Sequence, residues 1–219
     1  MSDAVQSNEK FVGIEVSNSM LKAVALGSNN ETQYSDRFLV NSGEDLFSQL
    51  ITFINQLKDN YGNIKKIGIA VPGLVNHQTN RVAFSSQIPE QTEVDFVNRV
   101  KAETGLEALV ENDANAAAYG EYIMGAGRGS KDMFYVTLGA GVGGAIILNG
   151  QIWRGNSGFA GEFGYMTIDS EGMRLEEVAS SANIIRRIRN RFHQDQTSSL
   201  VSIGEENFTV ADVVTESGK

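Results

Sequence analysis

Four of the six residues in Gly139-Ala140-Gly141-Val142-Gly143-Gly144 are glycine, and they follow directly on an apolar run that ends at Leu138. Glycines spaced this way let several backbone N–H groups converge on an anion such as a phosphate. The stretch also satisfies G-x-G-x-x-G, with Glu162 near the distance at which a dinucleotide fold carries its ribose-binding acid. That match fails in context, because a dinucleotide fingerprint must open a helix. Here 145–148 is another apolar run, followed by Asn149-Gly150, the strongest short signal for a hairpin. A phosphate loop at a hairpin tip is the expectation, since a plain tight bend needs fewer glycines. The chain has no cysteine, which excludes disulfides, thiol nucleophiles, iron–sulfur clusters and cysteine-ligated zinc. Its chemistry must rest on carboxylates, hydroxyls, amides and backbone.

The elements that would hold such a loop can be read from the pattern. Residues 10–16, 21–26 and 33–40 have the composition of three short strands, separated by Ser17-Asn18-Ser19 and by Gly27-Ser28-Asn29-Asn30, and form an antiparallel meander. Ser42 offers an N-cap with Asp45 in the capping-box position, and apolar Leu46, Phe47, Leu50, Ile51, Ile54 and Leu57 then recur at helical spacing until Gly62. The nearly continuous apolar run 66–71 predicts a strand covered on both faces, ending at Pro72-Gly73. A second amphipathic helix spans 95–104 before Gly105. A short strand covers 109–111, and Asn112-Asp113 leads into an alanine-rich helix over 114–124. A meander feeding two crossover units gives a mixed α/β sheet with helices on both faces, a ribonuclease-H-like arrangement. Residues 125–131 have the composition of an interdomain connection. Strands are expected over 133–138, 145–148 and 151–153, a long helix over 175–194, and a last helix from Thr209, with Asp212 in capping-box spacing. The expected organisation is therefore a leader over 1–9, a first lobe over 10–124, and an incomplete second lobe of related type over 125–219 that carries the phosphate-loop hairpin.

Four signatures fall in one order. They are Ile67-Gly68-Ile69-Ala70-Val71-Pro72-Gly73, then Glu111-Asn112-Asp113-Ala114-Asn115-Ala116-Ala117-Ala118, then Thr137 to Gly144, and finally Ala160-Gly161-Glu162-Phe163-Gly164. In this order they closely resemble the ROK family (repressors, open reading frames and sugar kinases) of the actin-like ATPase superfamily. The resemblance covers about residues 10–195. It implies ATP- and Mg²⁺-dependent phosphorylation of a hexose or N-acetylhexosamine hydroxyl, with Asp113 as the general base. A carboxylate just past the end of a strand and beside a helix N-terminus is well placed for that work, though a helix N-cap would use the same residue. The resemblance further assigns Gly73, Asn112, Glu162, Tyr165 and Glu176 to the sugar, and Ser19, Gly139, Ala140, Gly141 and Gly143 to the nucleotide. Glu15 would orient the metal.

The sequence departs from the family pattern in places that bear on catalysis. The first phosphate loop, Asp-x-Gly-Gly-Thr in the family, is Glu15-Val16-Ser17-Asn18-Ser19 here, so side chains replace two glycines that allow close approach to phosphate. A family histidine that touches sugar and zinc is Tyr165. The cysteine-rich zinc loop is absent, and Gly172-Met173-Arg174 runs straight into Leu175-Glu176. A protein without zinc is the expectation. Family kinases also extend beyond the position corresponding to residue 219, and their adenine-binding part lies in that stretch.

Eighteen basic and 27 acidic residues give a net charge of −9, which opposes nucleic acid and anionic membranes as partners. The arginines at 186, 187, 189 and 191 spread around a helix and are expected to be a solvated face. No apolar run reaches the length of a membrane span, and the polar start is unlike a signal peptide, so a cytoplasmic location is expected. The expected partners are a small-molecule sugar and other copies of the chain. Two functions stand side by side: a sugar kinase, or a non-catalytic sugar-binding or regulatory protein that has lost productive ATP binding. A DNA-binding repressor would need a helix-turn-helix domain in front, which residues 1–10 are too few to supply.

Overall fold

The computed structural model describes residues 10–27, 31–194 and 197–217. The leader expected over 1–9, and part of the turn at 27–30, lie outside these residues. Two compact units divide the chain. One runs through Gly129 and takes in Arg154–Phe159; the other comprises Ser130–Trp153 and the chain from Ala160 onward.

The first unit holds β1 (Lys10–Val16), β2 (Met20–Leu26), β3 (Thr32–Leu39), α1 (Leu46–Tyr61), β4 (Ile64–Val71), β5 (Leu74–Asn76), β6 (Arg81–Phe84), α2 (Phe96–Thr104), β7 (Glu107–Asn112) and α3 (Asp113–Met124). Its five-stranded sheet has the order β3-β2-β1-β4-β7. The meander pairs antiparallel, while β1–β4 and β4–β7 pair parallel, as two helical crossovers require. Period-two alternation puts Val12, Ile14, Val16, Leu21, Ala23, Ala25, Ile67, Ile69 and Val71 into one core with Phe47, Leu50, Phe53, Ile54 and Leu57 of α1 and Phe96 and Val100 of α2. The other face carries Phe11, Val24 and Leu109, all exposed.

Sequence and structure differ at four places here, first in that the run 66–71 of β4, expected to be covered on both faces, buries only Ile67, Ile69 and Val71 and leaves Lys66 and Gly68 exposed. The N-cap of α1 is Asp45, not Ser42, and its carboxylate accepts from the Ser48 N–H and hydroxyl, each at 2.8 Å. β4, which pairs with the strand ending at Asn112, is followed by an unexpected hairpin, β5–β6, turning over 77–80 where Asn80 has φ 57°. The last strand is longer than expected and delivers Asn112 directly as the N-cap of α3. Gly62 and Gly105 end α1 and α2 as expected.

The second unit holds β8 (Met133–Leu138), β9 (Val142–Leu148), β10 (Gln151–Ile152), α4 (Leu175–Ala179), α5 (Ser181–Arg189) and α6 (Val210–Ser217). Its three strands form an antiparallel sheet in the order β10-β9-β8, turned between β9 and β10 by Asn149 and Gly150, both at positive φ. The single long helix expected over 175–194 is two helices. Ser180 breaks it in an extended conformation (φ −69°, ψ 150°), and the next N–H, that of Ser181, donates to Gly139 O at 2.8 Å. The chain leaves helical geometry there to reach the glycine loop.

The Asp45 cap yields a prediction. Although desolvation opposes it, the hydrogen bonds from Ser48, with Gln91 and Arg99 nearby, hold the Asp45 carboxyl below its ordinary value. Asp45→Ala is expected to cost about 1 kcal/mol of stability at neutral pH. A lowered folded pKa stabilises above the unfolded value and loses that contribution as pH falls through the folded one. The gap between variant and wild type in urea unfolding should therefore close below about pH 4.

Candidate active site

In the first unit the candidate residues gather at the ends of β1, β4 and β7. Gly73 follows β4 with φ 118°, and a Cβ there would lie 2.3 Å from Phe84 O and 2.8 Å from Ser85 Cβ, so no other residue fits without moving the β5–β6 hairpin. Its carbonyl accepts from Asn112 Nδ2 at 2.9 Å. The same amide donates to Asp113 Oδ1 at 3.1 Å, while Asn112 Oδ1 caps α3 by accepting the Asn115 N–H at 2.9 Å. Both amide hydrogens are thus engaged within the protein. The Asn112 oxygen keeps one lone pair for a ligand.

Asp113 is half-buried at the first turn of α3. Burial raises its pKa and the Glu15 carboxylate raises it further, against the hydrogen bonds from the Ala114 N–H and the Asn112 amide. Glu15 itself pairs with Lys22 Nζ at 3.0 Å, both side chains being about half exposed. The two carboxylates repel one another, and a divalent cation brought with a nucleotide would relieve that repulsion. The following turn is self-contained. Ser17 donates its N–H to Met20 O at 3.0 Å and its hydroxyl to the same oxygen at 2.8 Å, and its Oγ accepts the Met20 N–H. Neither Ser17 nor Asn18 needs positive φ, so this turn forms without the glycines of the family pattern. Ser19 lies within it, and its carbonyl accepts the Val40 N–H.

In the second unit the glycine stretch separates into two parts. Only Gly139, Ala140 and Gly141 form the loop, closed by the Gly139 N–H on Gly141 O at 2.9 Å. Gly143 and Gly144 are strand residues of β9, paired with Thr137 and Val136. The expectation of a loop over all six residues is corrected accordingly. Gly144 is required by packing: the Phe163 ring occupies the place of its Cβ, 2.2 Å away. Gly164 likewise sits against Val142 O. The Ala160–Gly164 signature therefore lays a 3-10 turn, Phe163–Tyr165, flat on β9, with Glu162 at its N-terminus. Tyr165 is exposed, and the Arg174 guanidinium lies 5.3 Å from its ring centroid. Glu176 reaches the loop, its Oε2 accepting the Val142 N–H at 2.9 Å and lying 2.6 Å from where a Gly141 Cβ would be. Among the described residues, the N–H groups of Ala140 and Gly141 have no acceptor. Two adjacent free donors in a glycine turn suit a phosphate oxygen.

Glu111, His77 and Arg154 were not singled out by sequence, yet they form a connected cluster beside Asn112 and Asp113. Glu111 was visible inside the signature before Asn112. Arg154 and His77 had no local signal, because the contact spans 77 residues.

The mixed sheet built from a meander and two crossovers, with Asp113 just past its last strand, matches solved sugar kinases of the actin-like ATPase fold. The ROK family profile matches residues 11–218, and the chain belongs to that family. The glucokinase of Streptomyces coelicolor is 35% identical over 65% of this chain and 48% of its own length. The xylose repressor of Bacillus subtilis is 34% identical over 58% of this chain and 33% of its own. Among solved structures, the Streptomyces griseus ROK family glucokinase in complex with glucose and AMPPNP has a TM-score of 0.75 at 25% identity, covering 89% of this chain and 65% of that one. A ROK family transcriptional regulator homologous to the Escherichia coli MLC protein shares the fold at a TM-score of 0.84, covering 97% of this chain and 57% of that one. The chain spans between a third and about three fifths of the length of such curated relatives. No helix among the described residues is long and apolar enough to cross a membrane.

The raised pKa of Asp113 has a consequence for stability. The native state binds a proton there that the unfolded chain has already lost, so stability falls as pH rises from the ordinary aspartate value to the raised one. Asp113→Asn removes that dependence and keeps the oxygen that accepts from Ala114. Its melting temperature at pH 7 should equal or exceed that of wild type, as scanning calorimetry from pH 4 to 8 would show.

Proposed function

We propose that this chain carries the sugar site and the phosphate loop of an ATP-dependent sugar kinase acting on a hexose or N-acetylhexosamine hydroxyl. The observation that carries this reading is Asp113, a half-buried carboxylate with raised pKa, held by Asn112 at a helix N-terminus. A base in that state can accept a proton from a hydroxyl as the phosphoryl group transfers. Asn112 Oδ1, Glu162, Tyr165 and Glu176 would contact the sugar, with Gly73 allowing close approach. Ser19 and the stretch Gly139, Ala140, Gly141 and Gly143 would serve the nucleotide, the N–H groups of Ala140 and Gly141 facing phosphate. Glu15 would orient Mg²⁺, which neutralises charge on the phosphates when it arrives with ATP. The glucokinase relatives, one of them solved with glucose and AMPPNP, support this class of activity.

One observation favours a second reading, sugar binding without phosphoryl transfer. The Glu176 carboxylate already occupies the Val142 N–H at the glycine loop, and an anion there opposes a second one. One relative, the xylose repressor of Bacillus subtilis, is named a repressor rather than a kinase.

A panel of hexoses and amino sugars, with MgATP and a coupled ADP assay, tests the two readings. The kinase reading expects turnover on at least one sugar, and expects Asp113→Asn to lower kcat by about a thousandfold or more while calorimetric sugar affinity stays within a few fold. Sugar binding with no ADP release across the panel would establish the second reading. An unchanged rate in Asp113→Asn would remove Asp113 from the base role.

A further inference from the structure

The cluster beside Asp113 has a definite hierarchy. Arg154 lies in the short segment by which the chain, between two stretches of the second unit, returns to the first. Its terminal nitrogen pairs with Glu111 Oε2, and its Nε donates to His77 Nε2 at 3.0 Å. Glu111 Oε1 accepts from the Asn112 N–H at 2.9 Å and from Asn115 Nδ2 at 3.1 Å. His77 Nε2 also lies 3.2 Å from that oxygen. This nitrogen accepts from Arg154 Nε, so its contact with Glu111 is a close approach within the cluster.

The Glu111 side chain is 19% exposed and Asn115 is 5% exposed, so the carboxylate charge is countered by Arg154 rather than by bulk water. The guanidinium fork holds two partners in fixed directions, which a lysine ammonium cannot reproduce. Glu111 in turn grips the residue before Asp113 through its backbone, and the second residue after it through its side chain. Asn112 passes the constraint to Asp113 Oδ1 and to Gly73 O. One oxygen of the carboxylate is thus held by Asn112, a residue whose backbone N–H is itself held by the Glu111 of this ion pair.

We propose that Arg154, acting through Glu111, is a positioning residue that sets the place and rotamer of the Asn112–Asp113 pair. The proposal rests on the sugar-kinase reading for the identity of the acceptor, and not for the coupling itself. Full-chain Arg154→Ala, Arg154→Lys, Glu111→Gln and the double variant Arg154→Ala/Glu111→Gln provide the test, each first checked for cooperative melting. With sugar and MgATP, Arg154→Ala should lower kcat ten- to about a hundredfold, with KM for ATP within about twofold of wild type. Arg154→Lys should recover only part of the loss. The double variant should fall no further than the worse single one, since both changes release the same arrangement. A kcat within about twofold of wild type in folded Arg154→Ala, or losses that multiply in the double variant, would overturn the proposal.

A readout without turnover separates this proposal from the function. The side-chain amide resonances of Asn112 and Asn115 in ¹⁵N-labelled protein should shift together in Arg154→Ala and in Glu111→Gln. If wild type neither phosphorylates nor binds any sugar, the kinase reading fails while these resonances still decide the coupling; unshifted amides in folded Arg154→Ala overturn it. Should Arg154→Ala fail to fold, Arg154→Gln, which keeps a donor without the charge, carries the same measurements.

Discussion

The site in the first unit depends on a single side-chain amide. Asn112 has two amide hydrogens and one oxygen, and it spends them on three different parts of the fold: Gly73 beyond β4, the Asp113 carboxylate, and the first turn of α3. A carboxylate at a helix N-terminus would ordinarily be free to turn toward the exposed N–H groups of its own helix. Here a hydrogen bond from Asn112 competes for it, and the Ala114 N–H holds the same oxygen. One oxygen is therefore fixed by the protein, and the other remains for chemistry. The position of Gly73 follows from the same arrangement, because its carbonyl must reach Asn112 while the β5–β6 hairpin presses against its Cα.

The second unit meets a different constraint, close backbone packing. Gly144 and Gly164 exist so that the turn bearing Glu162 can lie directly on β9. Ser180 interrupts the helix so that the chain can hydrogen-bond the glycine loop. The loop is consequently shorter than its glycine content suggests, with paired strand residues on both flanks. The two N–H groups left without acceptors follow from its geometry, since a three-residue connection between paired strands cannot satisfy all of its own donors.

Most of the first unit was legible in sequence because its signals are local. Short strand-like runs bounded by turn residues marked the strands, 3.6-residue periodicity marked α1, and Gly62 and Gly105 marked where helices stop. The choice of Asp45 over Ser42 as N-cap was not legible, since both residue types cap equally well and the decision falls to where Leu46 and Phe47 must be buried. The β5–β6 hairpin was missed because its strands are only three and four residues long. In the second unit, an unbroken helical pattern hid the break at Ser180, whose cause is a contact with Gly139 distant in sequence. Of the site, Asn112 and Asp113 stood out by type and position. Glu111, His77 and Arg154 did not, because an ion pair closed across 43 residues leaves no periodicity behind.

The charge state of Asp113 joins these features into one argument. Its carboxylate sits at a helix N-terminus, which favours the anion, yet burial and the Glu15 charge prevail and raise its pKa. Ionisation of Asp113 is therefore opposed by its surroundings in the folded chain. On the kinase reading, a cation that arrives with the nucleotide and lies near Glu15 removes the repulsive part of that shift. Linkage then makes the effect reciprocal: whatever lowers the pKa of Asp113 on binding is bound more tightly when Asp113 is ionised. In this chain Glu15 replaces a shorter aspartate, so its carboxylate reaches one methylene further from β1, and it also pairs with Lys22. Neither difference touches the hydrogen bonds that Asn112 makes to Asp113 and that Glu111 makes to Asn112.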